Sequence, residues 1–176
     1  MLCVVVRFTV DPDASGLTLA TRSNVGPIDW SAAGLRGHVD VEVDGETLVV
    51  TQPVAAHLEL EVETLRSGNA LYDSELHRRI DARRFPLTTV DLQQVTPLPT
   101  SDRFEVRGEL TFHGVTRVLS GTVTATVTDG RLHVAGEHVV DIRDYRVPSP
   151  TILMLRIFPD VRVQLDLVAV SDGNLG

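Results

Sequence analysis

The residues in this chain that could do chemistry are six histidines, one cysteine and twenty-four carboxylates, spread over 176 positions. His38, His57, His77, His113, His133 and His138 nowhere show the HxH, HExxH or Hx3H spacing that sets two imidazoles on one side of a strand or helix. His133 and His138 differ by an odd number, so on one strand they face opposite sides. A lone cysteine, Cys3, excludes an internal disulfide framework and any multi-cysteine metal site. Beside Val4, Val5 and Val6 it reads as a small buried hydrophobe rather than a nucleophile. No GxSxG elbow, GxGxxG turn or GxxxxGK[ST] loop is present. The expectation is therefore no catalytic residue, no metal and no cofactor. An enzyme would need a polar cluster converging inside the fold, and only His38, His57 or His133 with Asp141 could supply one.

The segment GELTFHGVTR, from Gly108 to Arg117, raises the same question for His113. Apolar and polar residues alternate up to the His-Gly pair and then resume, so His113 and Gly114 read as the point where the chain reverses. Arg78, Arg79, Arg83 and Arg84 form the one concentration of positive charge. That group could meet an anionic lipid head. As the wet face of a short helix, balanced by Asp73, Glu75 and Asp81, it needs no partner, and this reading is preferred.

Whatever chemistry exists must be positioned by strands. Period-two alternation recurs at Leu17 and Leu19, at Val39, Val41 and Val43, at Leu58, Leu60 and Val62, and at Val90 and Leu92. It continues through Phe104, Val106, Leu110 and Phe112, through Val123, Ala125 and Val127, and through Val161, Val163, Leu165 and Leu167. Such alternation places apolar side chains on one face and polar ones on the other, as in antiparallel strands with one wet face. Asp44-Gly45 and Asp129-Gly130 read as two-residue hairpin turns. One segment breaks the period: Tyr72, Leu76 and Ile80 recur every fourth residue. That spacing predicts a helix over about 74–83 with Asp73 as N-cap, closed before Pro86. Eight or nine such strands can close as a barrel or stack as a sandwich, and the absence of a Cys…Trp…Cys framework favours the barrel.

A net charge of −8 argues against nucleic acid as partner. All sixteen basic residues are Arg, a bias that reflects genomic composition more than mechanism. The N-terminal peptide lacks the basic region and cleavage site of a secretory signal, and no run of 18 apolar residues could span a membrane, so a cytoplasmic protein is expected. Residues 1–170 are expected to form a single domain, with 171–176 a flexible tail.

Three segments carry a family resemblance. LEVETLRSGNALYDSELHRRIDARRFP (60–86) resembles the strand, Ser/Thr turn, short helix with Asp and Leu (Asp73, Leu76) and closing aromatic-Pro (Phe85-Pro86) of the YceI-like family of bacterial lipid-binding proteins. GELTFHGVTRVLSGTVTA (108–125) is similar to its G-x-L-T-x-x-G-V-T hairpin, the most specific part of the resemblance. VDIRDYRV (140–147) is similar to its strand ending in Asp before an aromatic. Departures lie at Arg22-Ser23-Asn24-Val25-Gly26-Pro27, where the family has His-Leu-Gly, and at Tyr72, where it has Arg. They bear on ligand identity more than on fold.

The resemblance implies an all-β fold: an antiparallel eight-stranded lipocalin-like barrel with one short helix. It also implies a non-catalytic carrier of a long-chain isoprenoid or other lipid in the lumen. Strand parity and the helix put Leu19, Trp30, Val41, Leu60, Tyr72, Leu76, Val90, Phe104, Val106, Leu110, Val123 and Leu165 at the ligand. A transient membrane-surface contact and a homodimer are compatible with this reading. The rival is a solidly packed, ligand-free β-domain serving as a protein-interaction or stress-response module, and lumen volume separates the two.

Overall fold

Antiparallel pairing runs from strand to strand until the sheet closes on itself. The computed structural model describes residues 4–51, 53–149, 151–152 and 154–172. The reading of Cys3 as a buried hydrophobe lies outside these residues, as do positions 173–176. In chain order the strands are β1 (Val4–Val10), β2 (Gly16–Ser23), β3 (Gly26–Ala32), β4 (Arg36–Asp44), β5 (Thr47–Val49) and β6 (Ala55–Glu61). A helix, α1 (Ala70–Arg79), precedes β7 (Leu87–Pro97), β8 (Arg103–Phe112), β9 (Val115–Thr128) and β10 (Arg131–Asp141). The short β11 (Thr151–Ile152) and β12 (Leu155–Arg156) lead into β13 (Asp160–Ser171).

Eight strands close the barrel in the order β1, β4, β6, β7, β8, β9, β10, β13, with β13 returning to β1 through Phe8↔Ser171 and Val10↔Ala169. Closure pairs each of these eight strands on both sides over at least part of its length. Where β1 ends, the β2–β3 hairpin takes its place on β13, with Leu19 opposite Val163 and Leu17 opposite Leu165. The outer edge of β3 is held in turn, since Ser31 and Arg66 each donate a backbone N–H to the other's carbonyl at 2.9 Å.

The two ends of the barrel differ. At one end lie the turns after β4 and β9 and the loop 98–102, and there Phe8, Val41, Val43, Val127, Leu132 and Leu167 pack as a solid core. At the other end α1 covers the opening and sends Leu76 and Ile80 inward. The sequence makes this division: large side chains occupy the inward positions at the turn end, while the middle of the barrel carries glycine at several of them.

Local details depart from the sequence reading. The helix begins four residues early, because Asn69 and not Asp73 is its N-cap, accepting from the N–H groups of Leu71 and Tyr72 at 3.0 and 3.2 Å. Asp73 is buried instead, and its carboxylate takes the Ser67 N–H and hydroxyl, each at 2.7 Å. The turn after β4 is Gly45-Glu46, one residue later than expected, with Asp44 already paired to Thr47. Gly45 has φ +62°, as a turn with glycine first requires. Asp129-Gly130 and His113-Gly114 both have two left-handed residues, the type I′ signature. Ser171 and Asp172 do not belong to a tail. The Ser171 N–H donates to the Gly130 carbonyl and the Asp172 N–H to the Arg7 carbonyl, both at 3.0 Å, which extends β13 to the barrel rim. In β7 a bulge at Leu92/Gln94 shifts the parity, so that Val95 rather than Gln94 continues the apolar face. No helix among the described residues is long and apolar enough to cross a membrane.

Candidate functional site: an apolar lumen

Between the packed end and α1 the barrel encloses a cavity of about 340 Å³. That lies within the roughly 300–1,000 Å³ usual for small-molecule sites. Its wall is apolar: Leu58 and Leu60 on β6, Val90 and Leu92 on β7, Val106 and Leu110 on β8, Val123 on β9 and Val163 and Leu165 on β13. Trp30 from β3 is 2% exposed and joins the lining. Its indole N–H donates to the Thr21 hydroxyl at 3.1 Å, and that hydroxyl donates to the Ile28 carbonyl at 2.6 Å. The polar edge of the indole is thus satisfied within the β2–β3 hairpin.

The space exists because three neighbouring strands carry glycine at inward positions of the lining: Gly108 on β8, Gly121 on β9 and Gly136 on β10. A Cβ at Gly108 would come within 2.7 Å of the Asp91 carbonyl oxygen, and one at Gly136 within 2.9 Å of a Val123 methyl. At Gly108 and Gly136 the glycine lets the neighbouring strand come close, and at all three positions the wall is bare backbone.

Nine of the twelve residues expected at the ligand line this lumen: Leu19, Trp30, Leu60, Leu76, Val90, Val106, Leu110, Val123 and Leu165. Three do not. Val41 and Phe104 have inward parity but sit in the turn-end half, where Val41 joins the solid core and both are buried. Parity tells inside from outside and says nothing of height along the barrel. Tyr72 packs half-buried against the core one helical turn before Leu76, outside the lumen. Parity could have supplied Leu58, Val62, Leu92 and Phe112, all of which also line the cavity. Gly108, Gly121, Gly136 and His138 were missed because an alternation search looks for apolar side chains. Their parity with Leu110, Val123 and Val134 is nonetheless readable.

The candidate enzyme residues face the other way. On β6, the His57 Nδ1–H donates to Asp91 at 2.6 Å, with Glu59 at 3.5 Å from its other nitrogen. The hydrogen bond to Asp91 raises the His57 pKa above its ordinary value, against a smaller opposing effect of burial. His133 pairs with Asp166 at 2.5 Å, and Asp141 is taken by Arg143 at 2.7 Å, which holds that carboxyl below its usual range. These groups lie on the outer face and do not converge in the lumen. No group of three or more His, Cys, Asp or Glu among the described residues is arranged to hold a metal. Of the arginine group, Arg78 pairs with Glu75 at 2.7 Å, Arg79 donates to the Thr151 carbonyl at 2.9 Å, and Arg84 lies over the Phe85 ring at 5.0 Å.

His113 does more than turn the chain. At φ +53° it stands before Gly114 at φ +73°, where a Cβ would lie 2.6 Å from the Phe85 ring. Its Nδ1–H donates to the Tyr145 carbonyl at 3.0 Å, and its ring meets Phe85 edge-on at 4.9 Å. The turn thereby ties the β8–β9 hairpin to the segment after β10.

A closed antiparallel barrel with an apolar internal cavity and one covering helix is of the lipocalin-like class. More narrowly, this chain belongs to the YceI-like family, whose domain model matches residues 8–169. Among solved structures it is similar to BcnA of Burkholderia cenocepacia, at TM-score 0.79 and 16% identity over 92% of this chain and 99% of that one. A polyisoprenoid-binding domain from Saccharophagus degradans, implicated in plant cell wall breakdown, superposes at TM-score 0.72 with 15% identity, covering 94% and 99%. A Campylobacter jejuni YceI protein follows at 0.66 and 11%, covering 84% and 86%. At these identities the likeness is one of fold. No curated protein sequence matches the chain significantly.

Proposed function

We propose that this protein binds a long apolar or amphiphilic molecule, a polyisoprenoid or a similar lipid, in the barrel lumen and carries it without altering it covalently. The observation that carries this reading is the cavity of about 340 Å³ with glycine in three neighbouring strands of its wall, lined mainly by apolar side chains, Leu and Val above all. Membership of the YceI-like family and the fold shared with a polyisoprenoid-binding domain support it. Each methylene moved from water into such a wall contributes roughly 0.8 kcal/mol, so about ten contribute roughly 8 kcal/mol before losses of translational and side-chain freedom. Micromolar affinity takes roughly 8 kcal/mol net of those losses, so a chain longer than about ten carbons is needed where no ionic contact helps. A ligand-free accessory domain would gain stability by filling the same space with side chains, which this sequence does not do.

The ligand-binding roles of the nine lining residues belong to this proposal. Native mass spectrometry after gentle purification, with identification of extracted lipid, tests the binding reading. A co-purifying chain of lipid mass is expected. Protein that emerges without lipid and whose Trp30 emission ignores added prenols would end the carrier reading in favour of the ligand-free module.

A further inference from the structure

The barrel wall is not uniformly paired. Between β9 and β10 the ladder runs from Arg131↔Thr128 to Gly136↔Val123 and stops there. Beyond that point β9 keeps its pairing only with β8, and β10 only with β13 down to Asp141↔Asp160. The two strands part over residues 115–122 and 137–141. The 3-10 turn at 142–145 occupies the far end of the gap, with Tyr145 edge-on to Phe112 at 5.9 Å and the Arg117 Nε–H donating to the Asp144 carbonyl at 3.2 Å.

Three observations make this gap a passage. Leu119, His138 and Val140 line both the lumen and a cleft on the outer surface, so the two spaces adjoin at these residues. Gly121, at the gap, puts no side chain across it: a Cβ there would meet nothing closer than the His138 Nδ1, at 3.6 Å. On the outer face Val118 and Val139 are about half exposed, at 50% and 51%, giving the passage an apolar lip.

The polar groups at the gap define what it would hold. His138 is the one imidazole in the lining, and no hydrogen bond is formed by its ring among the described residues. Tyr145 borders the outer cleft, and its hydroxyl is buried behind that surface with no partner among the described residues. The surrounding charges balance: Arg143 is paired with Asp141 at 2.7 Å and Arg162 with Glu137 at 3.1 Å, leaving Arg117 beside Asp144. A diphosphate or other polyanionic head would need an excess of cations that is not there. A hydroxyl both donates and accepts, matching an imidazole and an orphan phenol.

Resting on the lumen-binding reading, we propose that the unpaired stretch of the β9–β10 seam is the portal of the lumen and holds the hydroxyl head of an uncharged amphiphile against His138. The apolar chain then lies inside the barrel. Delivery is lateral, through the wall, and the packed end and the helix stay in place.

The test compares farnesol with farnesene, which share a carbon count and differ in the head. Both are titrated into the full chain with emission from Trp30, its single tryptophan, as readout. Leaving the hydroxyl without a partner in H138L should lower the farnesol-to-farnesene affinity ratio roughly tenfold, and H138Q should restore it. An environment-sensitive dye at V139C, with Cys3 replaced by Ser, should respond to farnesol, while the same dye at T100C in the loop of the packed end should not. A ratio unchanged in H138L, or a silent dye at V139C, overturns the portal while farnesene binding leaves the lumen reading standing. Binding of neither probe by the unaltered protein removes both.

Discussion

Val106→Phe separates a hollow barrel from a filled one. Val106 stands on the lumen wall in the middle of β8, between Val95 on β7 and Gly121 on β9, whose lack of a side chain leaves room on that flank. Phenylalanine adds about four carbons there, displacing about four methylenes of any ligand at roughly 0.8 kcal/mol each. The loss is about 3 kcal/mol, or more than a hundredfold in Kd for a prenol. The free protein should respond oppositely. In an empty lumen the new ring buries apolar surface without displacing anything and should raise stability by about 1 kcal/mol, which is roughly 2–4 °C in Tm for a domain of this size. Trp30 fluorescence titration measures the first effect and calorimetry of ligand-free protein the second. A variant that keeps its affinity and loses roughly 1–3 kcal/mol of stability would be an overpacked solid core, and the lumen argument would be refuted.

Other expectations concern the elements that hold the lumen in shape. Asn69→Ala removes only the helix N-cap and should cost about 1 kcal/mol, whereas Asp73→Ala leaves the half-buried Ser67 N–H and hydroxyl without their acceptor and should cost about 2 kcal/mol by urea denaturation. His113→Asn keeps a residue tolerant of left-handed backbone but gives up the bond to the Tyr145 carbonyl, so stability should fall by about 1 kcal/mol with lipid affinity unchanged. His57 titrates above its ordinary value of 6.5 because it donates to Asp91, so its stabilising contribution is complete below that value and is lost as pH rises through the higher folded value. The Tm difference between the unaltered protein and Asp91→Asn should therefore shrink as pH rises above 6.5, and a difference that grows would show the sign to be wrong. Because His57 is more than a third exposed, the whole effect should be small.

Strand parity, hairpin turns and the one break in periodicity are local properties, and they were legible because each depends on neighbours a few residues apart. The alternation through Leu58, Leu60 and Val62, the Asp-Gly turn at 129–130 and the His-Gly turn at 113–114 all required only that side chains on a strand point to alternate faces. The same locality set the errors. Asp73 looked like a cap because it precedes a helical run, but Asn69 reaches the free N–H groups and Asp73 is claimed by Ser67. What the tertiary structure alone decided is height and pairing around the barrel. Val41 and Phe104 share inward parity with Val106 yet lie at the packed end, because position along the axis depends on the stagger of all eight strands together. The gap beside His138 belongs to the same level: it opens where β9 and β10 stop sharing hydrogen bonds, and no single strand records where a distant partner leaves it.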